Sequence, residues 1–148
     1  MKESFFKVTV IVLLLAGSFS SCKEKEKCEP FVLIGQDSLS GREGIPQQDI
    51  VITTQEEWED LKITMINTEN FRETEIDFEE FQIIAVFDKV RPSGSWKIAI
   101  TCTTEYSDSI TVTVHTIAPK GHDFSVEVQP YHIVKIPVTK KSIEFKYL

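Results

Sequence analysis

The sequence predicts a β-dominated α+β domain: a small, mostly antiparallel sheet or sandwich of about seven short strands with one early helix. Three observations carry this expectation. Ile110–Thr116 alternates with a period of two, so Ile110, Val112 and Val114 share one face and Thr111, Thr113 and His115 the other. Gln82–Phe87 is apolar on both faces, as a central strand covered on both sides must be. Helical spacing follows Thr54, where Trp58, Leu61 and Met65 form one apolar stripe.

Along the chain, Phe31–Ile34 reads as a short buried strand that ends at Gly35, before a polar loop running to Gln48. Asp49–Ile52 is a second short strand. Thr54 and Glu57 have the spacing of a capping box, in which each side chain accepts from the other residue's backbone amide. Glu56, Glu57, Glu59 and Asp60 crowd the first turns, where the helix dipole favours negative charge, and read as a solvated face rather than a catalytic carboxylate pair. Asn67–Thr74 is a polar loop, and Ile76–Phe81 a tight turn whose aromatics tuck under the sheet. Pro92 fixes φ and Gly94 admits φ > 0, so Arg91–Gly94 reads as the turn of a hairpin that sends Trp96–Thr103 back antiparallel. Phe124–Val128 and Tyr131–Pro137 are β-like, with Pro130 between them predicting an edge position or a bulge. Ile143–Tyr147 closes the chain with a strand of period two.

The first residues serve export rather than the fold. Lys2 and Lys7 precede the apolar run Val8–Ala16, too short for a membrane span of about 20 residues but the length of a signal-peptide core. Phe19-Ser20-Ser21-Cys22 resembles the bacterial lipobox, with Phe19 in place of the usual aliphatic residue. The expected organisation is therefore a lipoprotein signal peptide over 1–21, a lipidated Cys22 with a flexible tether over 22–30, and one globular domain over 31–148. Lys23–Lys27 alternates lysine and glutamate, a polar tether that holds a domain off a membrane. Several acyl chains on Cys22 anchor such a protein firmly where one would bind only marginally. The expected location is the bacterial cell envelope, with the outer membrane as the favoured bilayer.

Composition narrows the function. The formal charge of −7 argues against nucleic acid and offers no attraction to anionic lipid, so membrane contact falls to the lipid on Cys22. Cys28 and Cys102 remain in a compartment that permits disulfides. Cys102 shares a strand face with Trp96, Ile98 and Ile100 and reads as a small buried apolar residue; a Cys28–Cys102 bridge that pins the tether to the sheet is the alternative. Two cysteines and scattered histidines make no zinc pattern, and no metal or cofactor is expected. The serines form no nucleophile elbow and there is no phosphate-cradling glycine loop. His115 reads as solvent-facing, His122 as a loop residue, and His132 as a strand residue rather than a base. No enzyme is expected.

From Ile76 onward, Asp77-Phe78, Ile83–Phe87, Arg91-Pro92-Ser93-Gly94 and Gln129–Ile136 resemble the PrcB C-terminal domain, and Glu56-Glu57-Trp58 suits the segment that often precedes it. Ser95 stands where that family usually has a second glycine, so this turn departs from the pattern. The family's namesake is similar to a lipoprotein associated with a secreted protease complex and is not itself a protease. The resemblance implies a non-enzymatic accessory role, with a secreted protease as one partner class, and carries over no catalytic residue. The candidate interaction surface is Arg91, Pro92, Ser93, Gly94 and Trp96 with the neighbouring Pro130, Tyr131 and His132, because arginine and aromatic residues are common interface anchors. The alternative is a small-ligand-binding lipoprotein, or a protease inhibitor presenting the 91–96 hairpin.

Overall fold

The computed structural model describes residues 27–121 and 125–148. The expected signal peptide, Cys22, most of the expected tether, His122 and the start of the Phe124–Val128 segment lie outside them. The elements run β1 (Val32–Leu39), β2 (Gln48–Ile52), α1 (Gln55–Met65), β3 (Phe81–Phe87), β4 (Lys97–Glu105), β5 (Ser109–Ile117), β6 (Gln129–Pro137) and β7 (Ser142–Tyr147). One sheet has the order β1-β6-β3-β2 and is antiparallel throughout. The other has the order β4-β5-β7, with β4 antiparallel and β7 parallel to β5. The domain is the β-dominated α+β fold the patterning predicts.

The four-stranded sheet is the middle layer. Strand alternation sends Ile83, Ala85 and Phe87 of β3, with Tyr131 and Ile133 of β6, to the face under α1. It sends Ile84 and Val86, with Val134 and Ile136, to the opposite face. There they meet Ile98, Ile100, Ile110, Val112 and Val114 of the second sheet. β3 and β6 are apolar on both faces because each is covered on both.

α1 begins as its sequence dictates. Thr54 Oγ1 accepts from the Glu57 amide (3.3 Å), and Glu57 Oε2 accepts from the amides of Thr53 (3.0 Å) and Thr54 (3.2 Å). Trp58, Leu61 and Met65 are buried, Trp58 Nε1 donates to the Thr74 carbonyl (2.8 Å), and the indole stacks on Phe71 at 5.6 Å. The helix stops at Ile66, whose φ of 64° and ψ of −48° form a γ-turn closed by a hydrogen bond from the Asn67 amide to the Met65 carbonyl (2.6 Å).

Four local expectations need correction. β1 does not end at Gly35 but runs on to Leu39, through a bulge between Leu33 and Gly35. Gly35 is required there because a Cβ would come within 2.8 Å of the Phe71 ring. Residues 91–96 are not a hairpin: β3 has β2 and β6 as neighbours, and the chain crosses from Phe87 to the other sheet before β4 begins. Both hydrogen-bonding edges of β3 are taken, by β2 and β6, so β4 has no place beside it. Pro130 lies in a central strand, not at an edge, one residue inside its end, where its carbonyl accepts from the Asp88 amide (2.9 Å).

The fourth concerns Cys102, which does not share the face of Ile98 and Ile100. The bulge between Ile100 and Cys102 inserts Thr101 and reverses the parity, so Cys102 pairs with outward Thr113 and Thr103 with inward Val112. Turned outward, Cys102 is joined to Cys28 by a disulfide with Cα atoms 5.2 Å apart. The Glu29 amide donates to the Thr103 carbonyl (2.7 Å) and Thr103 Oγ1 donates to the Glu29 carbonyl (3.0 Å), so the incoming chain is fixed along β4.

Candidate interaction site at the sheet crossover

The crossover is built on a buried carboxylate. Asp88 directly follows β3 and is 2% exposed. It accepts from Arg91 twice, Nε to Oδ2 (2.7 Å) and Nη2 to Oδ1 (3.0 Å), a bidentate pair that sets the guanidinium plane. Arg91 is also held by its backbone, which exchanges hydrogen bonds with Val128 (2.7 and 3.0 Å). Gln129 Nε2 donates to the carbonyls of Asp88 (2.9 Å) and Ile45 (2.8 Å), tying the preceding loop into the same cluster.

Trp96 lies against this clamp, with the Arg91 Cζ atom 4.1 Å from its ring centroid, a cation–π contact. The indole is half-buried, Pro92 and Gly94 are exposed, and Ser93 is half-buried. Gln36, Asp37, Ser38, Gly94, Trp96 and Lys97 line a groove of about 390 Å³ between β1 and the start of β4. Gln36 Nε2 donates to the Ile98 carbonyl (3.0 Å), joining the two sheets at its floor, and Asp37 Oδ2 accepts from Asn70 (2.9 Å). The groove offers one aromatic surface, a carboxylate and a lysine on a backbone that is fixed before any partner arrives.

The expected surface divides in two. Residues 91–94 and Trp96 are together at the crossover, whereas Pro130, Tyr131 and His132 are buried and offer no docking surface. The reason is the place of β6 between β1 and β3, where side chains on either face meet another layer. Tyr131 turns toward α1, 6.3 Å from Phe71 and 6.1 Å from Phe87 between ring centroids. Burial, reinforced by Asp37, pushes its hydroxyl up to about 12. His132 turns between the sheets, and its Nδ1 accepts from the Ile100 amide (2.6 Å), leaving the ring proton on Nε2. Burial lowers its pKa to about 4, so it is neutral at pH 7 with its acceptor nitrogen occupied by backbone. It fastens one sheet to the other. His115 is half-buried on the outer face of β5.

Asp88, the buried group that positions Arg91, is not among the residues the sequence singles out, and Gln129 is singled out only as part of the Gln129–Ile136 resemblance. An acid three residues before an arginine, directly after an apolar strand, was the signal for the pair. Among the described residues no three of His, Cys, Asp and Glu are grouped to hold a metal ion. No helix among them is long and apolar enough to cross a membrane. Comparison of the chain with known families, with characterised proteins and with solved structures returns no match.

Proposed function

We propose that this chain is a lipid-anchored, non-enzymatic protein of the bacterial envelope, and that its domain docks another protein at the crossover. The observation that carries the docking site is the Arg91–Trp96 stack locked on Asp88 beside an open groove. Arginine and tryptophan are the side chains most often found as interface anchors, and a pre-positioned pair loses little conformational freedom on binding. The lipobox-like Phe19–Cys22 supports the anchor, and the likeness to the PrcB C-terminal domain supports an accessory role beside a secreted protease.

The test is a mild-detergent pull-down of the tagged, lipidated protein from its own cells, with Cys22→Ala as the control for anchoring and with Trp96→Ala and Lys97→Glu at the groove. A stoichiometric companion that both groove variants lose, while their thermal unfolding stays cooperative, is the expected result. Recovery of the protein alone, or full retention of the companion by both variants, would overturn the docking site. An inhibitor instead of an accessory subunit would appear as a captured protease whose activity falls on binding.

A further inference from the structure

We infer that the Cys28–Cys102 disulfide makes the tether a short leash that orients the domain on its bilayer, with the turn after β4 facing lipid and the crossover facing away. This rests on the lipid attachment at Cys22 proposed above and adds which pole of the domain meets the membrane. Five residues, Lys23–Lys27, separate Cys22 from Cys28. A stretch of that length cannot reach beyond about 20 Å. Beyond it the chain is fixed, by the disulfide to Cys102 and by the paired hydrogen bonds between Glu29 and Thr103.

The fixed point lies near one end of the molecule. Cys102 is three residues from the end of β4, so the turn over 105–109 is within about 10 Å along the strand. The loop over 138–141 joins that pole: Ser142 donates from its amide to the Asp108 carbonyl (3.1 Å), and Lys141 Nζ pairs with Glu105 (2.8 Å). In the other direction Trp96 is six residues away, about 20 Å along β4. To lay the crossover on the bilayer, the leash would have to stretch to its full length. Resting the 105–109 pole there asks for none of this.

The chemistry of the pole suits a lipid surface. Tyr106 and Val138 are 42% and 50% exposed there, and a tyrosine ring with its polar tip fits the headgroup level. Lys27, Lys140 and Lys141 are offset by Glu29, Glu105 and Asp108, so the contact does not depend on anionic lipid. At the other end, the groove beside Trp96 is presented to whatever lies beyond the membrane surface.

The experiment uses the full lipidated protein, purified oxidised and reconstituted into phosphatidylcholine vesicles containing an acceptor-labelled lipid. A donor dye is placed at Ser107 or at Gly94 through a non-canonical amino acid, leaving the cysteines untouched. Stronger energy transfer from 107 than from 94 is expected. A long Gly/Ser insertion between Lys27 and Cys28, which keeps the disulfide but removes the short leash, should collapse that difference. Equal transfer from both positions, stronger transfer from 94, or a difference that survives the insertion unchanged would overturn the inference. Vesicle flotation and the mass of the N-terminal peptide are read in parallel, so a chain that carries no lipid and does not float identifies failure of the anchoring reading instead.

Discussion

The two faces of the four-stranded sheet are filled in different ways. Under α1 the filling mixes rings with aliphatic side chains: Trp58, Phe71, Phe87 and Tyr131 meet at stacked, tilted and edge-on angles among Ile34, Leu61, Met65 and Ile133. Between the sheets it is aliphatic, isoleucine and valine in regular rows from β3, β4, β5 and β6. Two pleated sheets present matching rows at a constant spacing, which branched side chains of one size fill. A single helix leaves the sheet margin open, and the irregular segment carrying Phe71 must close it with large flat rings. One face therefore adds a cluster of large rings to its aliphatic packing. The other is built from rows of isoleucine and valine, and adds a buried histidine to link its sheets.

The sharpest way to break the helix face is Trp58→Ala. It empties a fully buried site, removes the stack on Phe71 and leaves the Thr74 carbonyl without its indole donor. A loss of about 4–5 kcal/mol is expected from urea unfolding. Replacing Cys28 and Cys102 together by alanine tests the second sheet's hold on the incoming chain. A closed loop with a sequence separation of 74 constrains the unfolded chain, and its opening should cost about 3–4 kcal/mol by the same measurement.

The third test separates the faces by pH. His132 has a pKa of about 4 in the folded protein against about 6.5 unfolded. Between those values the unfolded chain takes up a proton that the folded one refuses, so stability rises with pH across this window. The contribution is complete above about pH 6.5 and is lost as pH falls toward 4, a span of about 3 kcal/mol. Urea midpoints should rise with pH across that range, and His132→Gln should flatten the slope. The smallest effect is a gain. Ile66 is 81% exposed and held at a positive φ that a branched side chain resists, so Ile66→Gly should raise the stability by about 1 kcal/mol in urea unfolding.

The elements with strong internal period were legible in the sequence. The capping box at Thr54, the stripe of Trp58, Leu61 and Met65, and the alternation of Ile110–Thr116 each follow from local geometry. What local pattern does not contain is which strand lies beside which. An Arg-Pro-Ser-Gly turn between two strands suits a hairpin, yet here it links two sheets, because the neighbours of β3 come from distant parts of the chain. The bulge at Thr101 is a backbone insertion without a marker in side-chain type, so the face of Cys102 was misread beyond it. At the candidate site, Arg91 and Trp96 could be found by residue type. The burial of Tyr131 and His132 depends on the central place of β6 and could not.

The pairing of β1 with β6 also governs when this molecule can fold. Val32 lies opposite Lys135, so the first strand has no place in its sheet until nearly the whole chain is present. β7 then joins β5 in parallel, and Tyr147 donates to Asp49 Oδ1 (2.5 Å), bringing the last strand to the edge strand β2. Contacts so far apart in sequence close slowly. If the chain is exported as proposed above, such a topology would delay compaction until passage is almost complete, because the order in which the strands are sewn together leaves the first of them without a partner until the last third of the chain has followed.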